Sequence, residues 1–163
     1  MTETQIKDQL VGYLKDAHAM ENNVLRMLDS QIATTEDAGI RKDLEHHQKE
    51  TERHKTRLEH CLGAYGEDAS SLKDIAGGGG ALLKGLVDIV RSEKPIRNAR
   101  DAYVTESLEI ASYELLERWA KKAGDTETVE VARKNRAEEE AMRDRIAANW
   151  DTYVELQIEE DDL

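Results

Sequence analysis

The chain of 163 residues contains no phenylalanine, a single proline and a single cysteine, and aromatic residues make up only 4% of it. So few aromatics, in a composition rich in Ala, Glu, Lys, Leu and Arg, disfavour a sheet protein and favour an all-helical one. One cysteine excludes an internal disulfide. Cys61 falls on an apolar stripe and reads as a core thiol. Basic residues are also short: 23 Lys and Arg against 35 Asp and Glu give a net charge of −12. A chain of that charge lacks the basic face that nucleic-acid phosphates or an anionic membrane surface require. It can attract metal cations, although a solvated acidic surface accounts for the charge as well. No hydrophobic run approaches the length of a membrane span. The opening segment, MTETQIKDQL, has no signal-peptide core, so a cytoplasmic protein is expected.

What is present is helical periodicity. Residues 3–33 place Ile6, Leu10, Leu14, Ala17, Val24, Leu28 and Ile32 at spacings of three, four or seven, the pattern of an amphipathic bundle helix. Thr35 is a reasonable N-cap for a second helix over 36–63, whose stripe runs Ile40, Leu44, His47, Thr51, His54, Leu58 and Cys61. Gly63, Gly66 and the run Gly77–Gly80 then interrupt the pattern, and a short apolar helix is expected at 81–91. The glycine run lacks the lysine-serine signature of a phosphate-binding loop. Pro95 opens a third helix over 95–123, closed by Gly124 and Asp125. Thr126 is the expected cap of a fourth, over 126–157, and the acidic end, residues 159–163, reads as a frayed tail. These segments predict one domain over 1–158. The expected architecture is a ferritin-like antiparallel four-helix bundle, made of two hairpins joined by a long crossover that contains a short extra helix, with a simple up-down bundle as the competing arrangement.

All four long segments break core patterning at the same depth. Each carries carboxylates or imidazoles within the apolar stripe: Glu21; His47 and Glu50; Glu106 and Glu109; Glu139. Counting outward from each hairpin link sets Glu21 level with about residue 48, and Glu109 level with about residue 140. Residues three or four apart share a helix face, so His47 with Glu50, and Glu106 with Glu109, can present two ligand atoms to one spot. Burying unpaired carboxylates costs several kcal/mol by order of magnitude, so a chain that does so in four helices is expected to hold something cationic there. Carboxylate bundles that bind two iron or manganese ions use this chemistry, with one Glu from each of two helices and a Glu-x-x-His pair from each of the others. Here the second helix has the reversed order, His47-x-x-Glu50, and the fourth has Met142 and Arg143 where a His would stand. Arg136 and Arg143 also flank Glu139 at stripe spacing and offer the competing arrangement, a salt-bridge network without metal.

Lesser features have plainer readings. His18 is expected at the solvent edge, His46 and His60 on the surface, and Trp119 and Trp150 in packing. Tyr103 and Tyr113 bracket Glu106 and Glu109 and can hydrogen-bond carboxylates. A second apolar stripe, Val104, Leu108, Ala111, Leu115 and Trp119, is to be covered by the connection helix or by a second subunit, and a homodimer is the expected partner state.

Several segments together carry a family resemblance: Leu14-Lys15-Asp16-Ala17 leading to Glu21; His47-x-x-x-Thr51-Glu52 followed by Arg57-Leu58; Glu106-x-x-Glu109-Ile110-x-x-Tyr113 running to Trp119-Ala120-x-x-x-Gly124; and Glu138-Glu139. Over about residues 5–155 the chain resembles the YciE/YciF-like bacterial stress proteins of the ferritin-like superfamily. The resemblance implies a four-helix bundle, commonly dimeric, with a rubrerythrin-like carboxylate cluster. Carried over by position, it makes Glu21, His47, Glu50, Glu106, Glu109 and Glu139 the candidate ligands. Arg143 stands where many relatives carry an acid. The function expected is a stress-response protein with a two-metal iron or manganese site that oxidises ferrous ion or reduces peroxide. The competing expectation is a metal-free interaction bundle.

Overall fold

The computed structural model describes residues 1–67 and 94–162. The described residues form five helices and no strand: α1 (Glu3–Thr34), α2 (Ala38–Gly63), α3 (Pro95–Ala123), α4 (Thr126–Ala148) and α5 (Trp150–Asp161). The expected helix at 81–91 and the glycine run lie outside these residues. α1 packs on α2 and α3, α4 packs on α3 and α2, and α5 folds back onto α3.

Two apolar clusters fix the direction of every long helix. One joins Leu10 and Leu14 of α1 to Leu58 and Leu62 of α2, Leu116 and Ala120 of α3, and Val129 and Ala132 of α4. The other joins Val24 and Leu28 to Leu44, Ala99, Met142 and Ile146. Thus α2 and α3 run parallel, and α1 and α4 run opposite to them. The ends of α2 and α3 that residues 64–94 connect lie at opposite ends of the bundle. This is the all-α bundle with a long crossover that the two hairpins predict.

Boundaries follow local chemistry. Thr2 and Gln5 form a capping box at the start of α1. Asp37, not Thr35, caps α2: its carboxylate accepts from the Ile40 amide at 2.8 Å, while the Thr35 hydroxyl turns back to the Gln31 carbonyl at 2.7 Å. Asp125, not Thr126, caps α4, accepting from the Thr128 amide at 2.9 Å, the Thr128 hydroxyl at 2.6 Å and the Tyr65 hydroxyl at 2.8 Å. Pro95 stands in the first turn of α3, where a missing amide hydrogen costs nothing. Gly124, at φ 73, supplies the left-handed residue that ends α3. The fourth helix does not run unbroken to 157. Asn149 interrupts it, its amide bonding the Ile146 carbonyl and its side chain the Arg145 carbonyl. The acidic end stays helical to Asp161, where Lys94 pairs with it at 2.6 Å.

Candidate metal centre

Between the two apolar clusters lies a polar layer. Glu21, His47, His54, Glu109 and Glu139 are fully buried, Thr51 with them, and Glu106 is 3% exposed. Two ligand-like groups form. His47, Glu106, Glu109 and Glu139 can each bring one donor atom to within 4.8 Å of the others, and Glu21, His54 and Glu139 do the same. Glu139 belongs to both, so the groups adjoin through it.

Each imidazole has a carboxylate on its outer side, but only that of His54 is within hydrogen-bond distance. His47 turns Nε2 toward Glu106 at 3.3 Å and Glu139 at 3.5 Å, with Nδ1 toward Glu50 at 3.6 Å. His54 turns Nδ1 toward Glu139 at 2.8 Å and Glu21 at 3.6 Å, and its Nε2 pairs with Glu138 at 2.7 Å. Glu138 is itself held by Arg57, again at 2.7 Å, and Arg57 also donates to Asn135. An outer carboxylate behind an imidazole fixes which ring nitrogen faces inward, the arrangement common behind metal-bound histidines. Tyr113, also fully buried, donates to Glu21 and accepts from Asn135 at 3.0 Å.

Many inward atoms have no hydrogen-bond partner. Both oxygens of Glu109 and of Glu139, Oε2 of Glu21 and Glu106, both nitrogens of His47 and Nδ1 of His54 are buried without one. Some approach each other closely yet lack hydrogen-bond geometry. Among the described residues no lysine or arginine pairs with Glu21, Glu106, Glu109 or Glu139. Arg143 lies outside and pairs with Asp144 at 2.8 Å, and Arg136 reaches Glu117 at 2.9 Å. The competing arginine network around Glu139 does not form, because Arg143 pairs with the exposed Asp144 and Arg136 with the buried Glu117, both away from the layer.

The electrostatics are those of crowded acids. Burial, reinforced by Glu139, Glu21 and Glu106, pushes the Glu109 carboxyl well above the usual range. Burial also pushes Glu139 up to about 8, with Glu106 and Glu21 adding to it and His54 opposing it. Burial alone would lower the imidazoles, but the carboxylates override it. His47 rises well above its ordinary value through Glu106, and His54 rises to about 11 through Glu138, Glu139 and Glu21. Glu138, hydrogen-bonded by His54 and Arg57, is held down at about 2 despite partial burial.

A sequence profile of the family described as a domain of unknown function, DUF892, matches residues 5–159. The chain belongs to the DUF892 family. Solved structures repeat its fold at low identity. A protein from Xanthomonas campestris aligns over 98% of this chain and 99% of its own, with 24% identity and a TM-score of 0.76. The stress protein YciF of E. coli aligns over 92% and 97%, with 17% identity and a TM-score of 0.73. YcfI from Rhodopseudomonas palustris aligns over 90% and 94%, with 22% identity and a TM-score of 0.67. The resemblance to YciF-like proteins drawn from sequence motifs therefore holds.

Within this DUF892 bundle, five of the six sequence candidates (Glu21, His47, Glu106, Glu109 and Glu139) meet in the polar layer. Glu50 does not join either group. Its side chain is 15% exposed and sits behind His47, also 3.2 Å from His46. Three residues of helix leave it about 60° from His47 around the axis, enough to place it on the flank. His54 was the missing ligand-like residue, and its signal was present: a polar residue on the α2 stripe seven positions after His47. His18 is buried rather than at the solvent edge, but its Nε2 bonds Glu59 at 3.0 Å, away from the layer. His46 and His60 are exposed. Of the two tyrosines, Tyr113 reaches the layer, whereas Tyr103 packs on Trp150.

Proposed function

We propose that this protein is a ferritin-like stress-response protein holding two iron or manganese ions in the polar layer. His47, Glu106, Glu109 and Glu139 would hold one ion, and Glu21, His54 and Glu139 the other. The observation that carries the reading is the set of buried carboxylate and imidazole atoms without hydrogen-bond partners, converging from four helices. Such groups are costly to bury unless a cation meets them. Charge supports the pair as well: four carboxylates balance two divalent cations while both imidazoles remain neutral ligands. The oxygen-rich donor set with two imidazoles suits iron or manganese.

Bound iron or manganese supplies the redox capacity to oxidise ferrous ion or reduce peroxide. The chain's own residues orient and exclude. Glu138 orients the His54 imidazole, and Tyr113 holds Glu21 by its hydroxyl. The apolar clusters above and below keep bulk water from the layer. Chain self-association belongs to the same reading: Val104 and Leu115 on α3 are 47% and 48% exposed, an apolar face suited to a second copy.

The alternative is a metal-free interaction bundle. What favours it is that His47 and His54, raised by the surrounding acids, can act as the cations that Arg136 and Arg143 do not provide. Oxygen or peroxide consumption by the protein reconstituted with ferrous ion separates the two. The metal reading expects saturable turnover above free ferrous ion, lost in Glu139→Ala. Turnover equal to free ferrous ion removes the redox function.

A further inference from the structure

At the end of the bundle where the α1–α2 link meets α5, a pocket of about 340 Å³ opens to solvent. Its size is within the range of small-molecule sites. The inner wall is apolar, formed by Leu44, Ala102, Met142 and Ile146, with the ring of Tyr153 at one side. Two amides line it. Gln31 is only 6% exposed, and its Nε2 is buried without a partner; the buried Oδ1 of Asn98 is likewise unpartnered. Leaving such groups unpaired costs about 1–3 kcal/mol each, so they mark a place where a ligand can supply an acceptor and a donor. The remaining polar lining includes Glu36, Asp37, Glu159 and Glu160, and among the described residues no lysine, arginine or histidine lines the pocket. These four acids disfavour an anion and favour a cation, and an aromatic wall adds to that preference.

We propose that this pocket is a binding site for a small organic cation: an apolar body seated on Leu44, Ala102 and Met142, a polar group meeting the Gln31 and Asn98 amides, and a positive charge toward Glu159 and Glu160. The site is separate from the metal centre and stands without it. Its floor is nonetheless near, since Leu44, Ala102 and Met142 lie one helical turn from His47, Glu106 and Glu139.

The test uses the full chain freed of metal by chelation, so that its failure leaves the metal reading untouched. Auramine O, a cationic dye that fluoresces when held rigid, is titrated in parallel with anilinonaphthalene sulfonate, an anion of similar size. The expected result is saturable binding of one auramine O per chain and no comparable binding of the anion. Glu159→Lys with Glu160→Lys, a surface change that spares the core, weakens the cation by about tenfold or more. Asp8→Lys with Glu130→Lys, the same charge change on exposed positions elsewhere, leaves affinity within about twofold. Gln31→Leu, which keeps the volume and removes the amide, weakens binding as well. Absence of saturable auramine O binding, equal binding of the anion, or equal effects of the two charge-reversal pairs overturns the proposal.

Discussion

Glu109 should be a residue whose removal strengthens the metal-free protein and weakens the metal-loaded one. It is fully buried, both of its oxygens lack partners, and Glu139, Glu21 and Glu106 crowd it. Burial and the neighbouring carboxylates raise its pKa well above the usual range and favour the protonated form, whose cost to the metal-free fold is that of a polar group left unsatisfied, about 1–3 kcal/mol. Glu109→Met keeps a similar volume and removes that cost. Metal-free Glu109→Met should therefore resist urea better than wild type by about 1–3 kcal/mol. At a metal concentration a hundred times the dissociation constant, wild type gains about 2.7 kcal/mol for each ion bound, and a variant missing a ligand gains far less. The order of stability then reverses. Urea unfolding followed by circular dichroism, with chelator and with saturating manganese, reads both halves. A metal-free variant less stable than wild type would refute the reasoning, because Glu109 would then be satisfied by the fold alone. So would equal metal stabilisation of the two proteins.

Three other outcomes follow from the same geometry. Metal binding should release protons and tighten as pH rises, because Glu139 at about 8 and His54 at about 11 hold protons at neutral pH that a metal must displace. By the same sign, raised folded pKa values make the metal-free protein lose stability as pH climbs from about 4.5 through 8 for Glu139 and from about 6.5 through 11 for His54; calorimetry in buffers of different ionisation enthalpy counts the released protons, and zero is the contrary result. Glu138→Gln removes the charge that orients His54 and should weaken metal affinity by about 10–100-fold with the helix content intact, whereas Glu140→Gln on the neighbouring surface should leave it unchanged. Asp125→Ala strips the α4 cap and the Tyr65 contact and should cost about 1–2 kcal/mol in unfolding free energy; a change below a few tenths would show the cap to be dispensable.

The two hairpins were legible because three-and-four spacing is set by the helix itself, and because Pro95 and Gly124 punctuate it. The depth of the polar layer was legible for the same reason: equal counts from a link bring residues to equal height. Finer placement was not. The count centred the link at residues 34–35, whereas the link spans residues 35–37, and it set Glu21 level with about residue 48 when His54 is the imidazole that faces it. Asn149 was invisible as a break because Tyr153 continues the apolar pattern beyond it, and only the backbone bond to Ile146 marks the interruption. Thr35 and Thr126 look like caps, but an aspartate adjacent or two residues away offers a stronger acceptor and takes each position. Where Arg136 and Arg143 point depended on the positions of Glu117 and Asp144, which periodicity does not locate.

Whether the polar layer holds two metal ions or its own protons is decided by anaerobic titration of the chelated protein with manganese or ferrous ion, with bound metal counted per chain. Two ions per chain are expected in wild type, and fewer than two in Glu139→Gln, whose side chain belongs to both groups. No bound metal in wild type, or two ions retained when Glu139 and Glu109 are both replaced by glutamine, would contradict the two-metal reading.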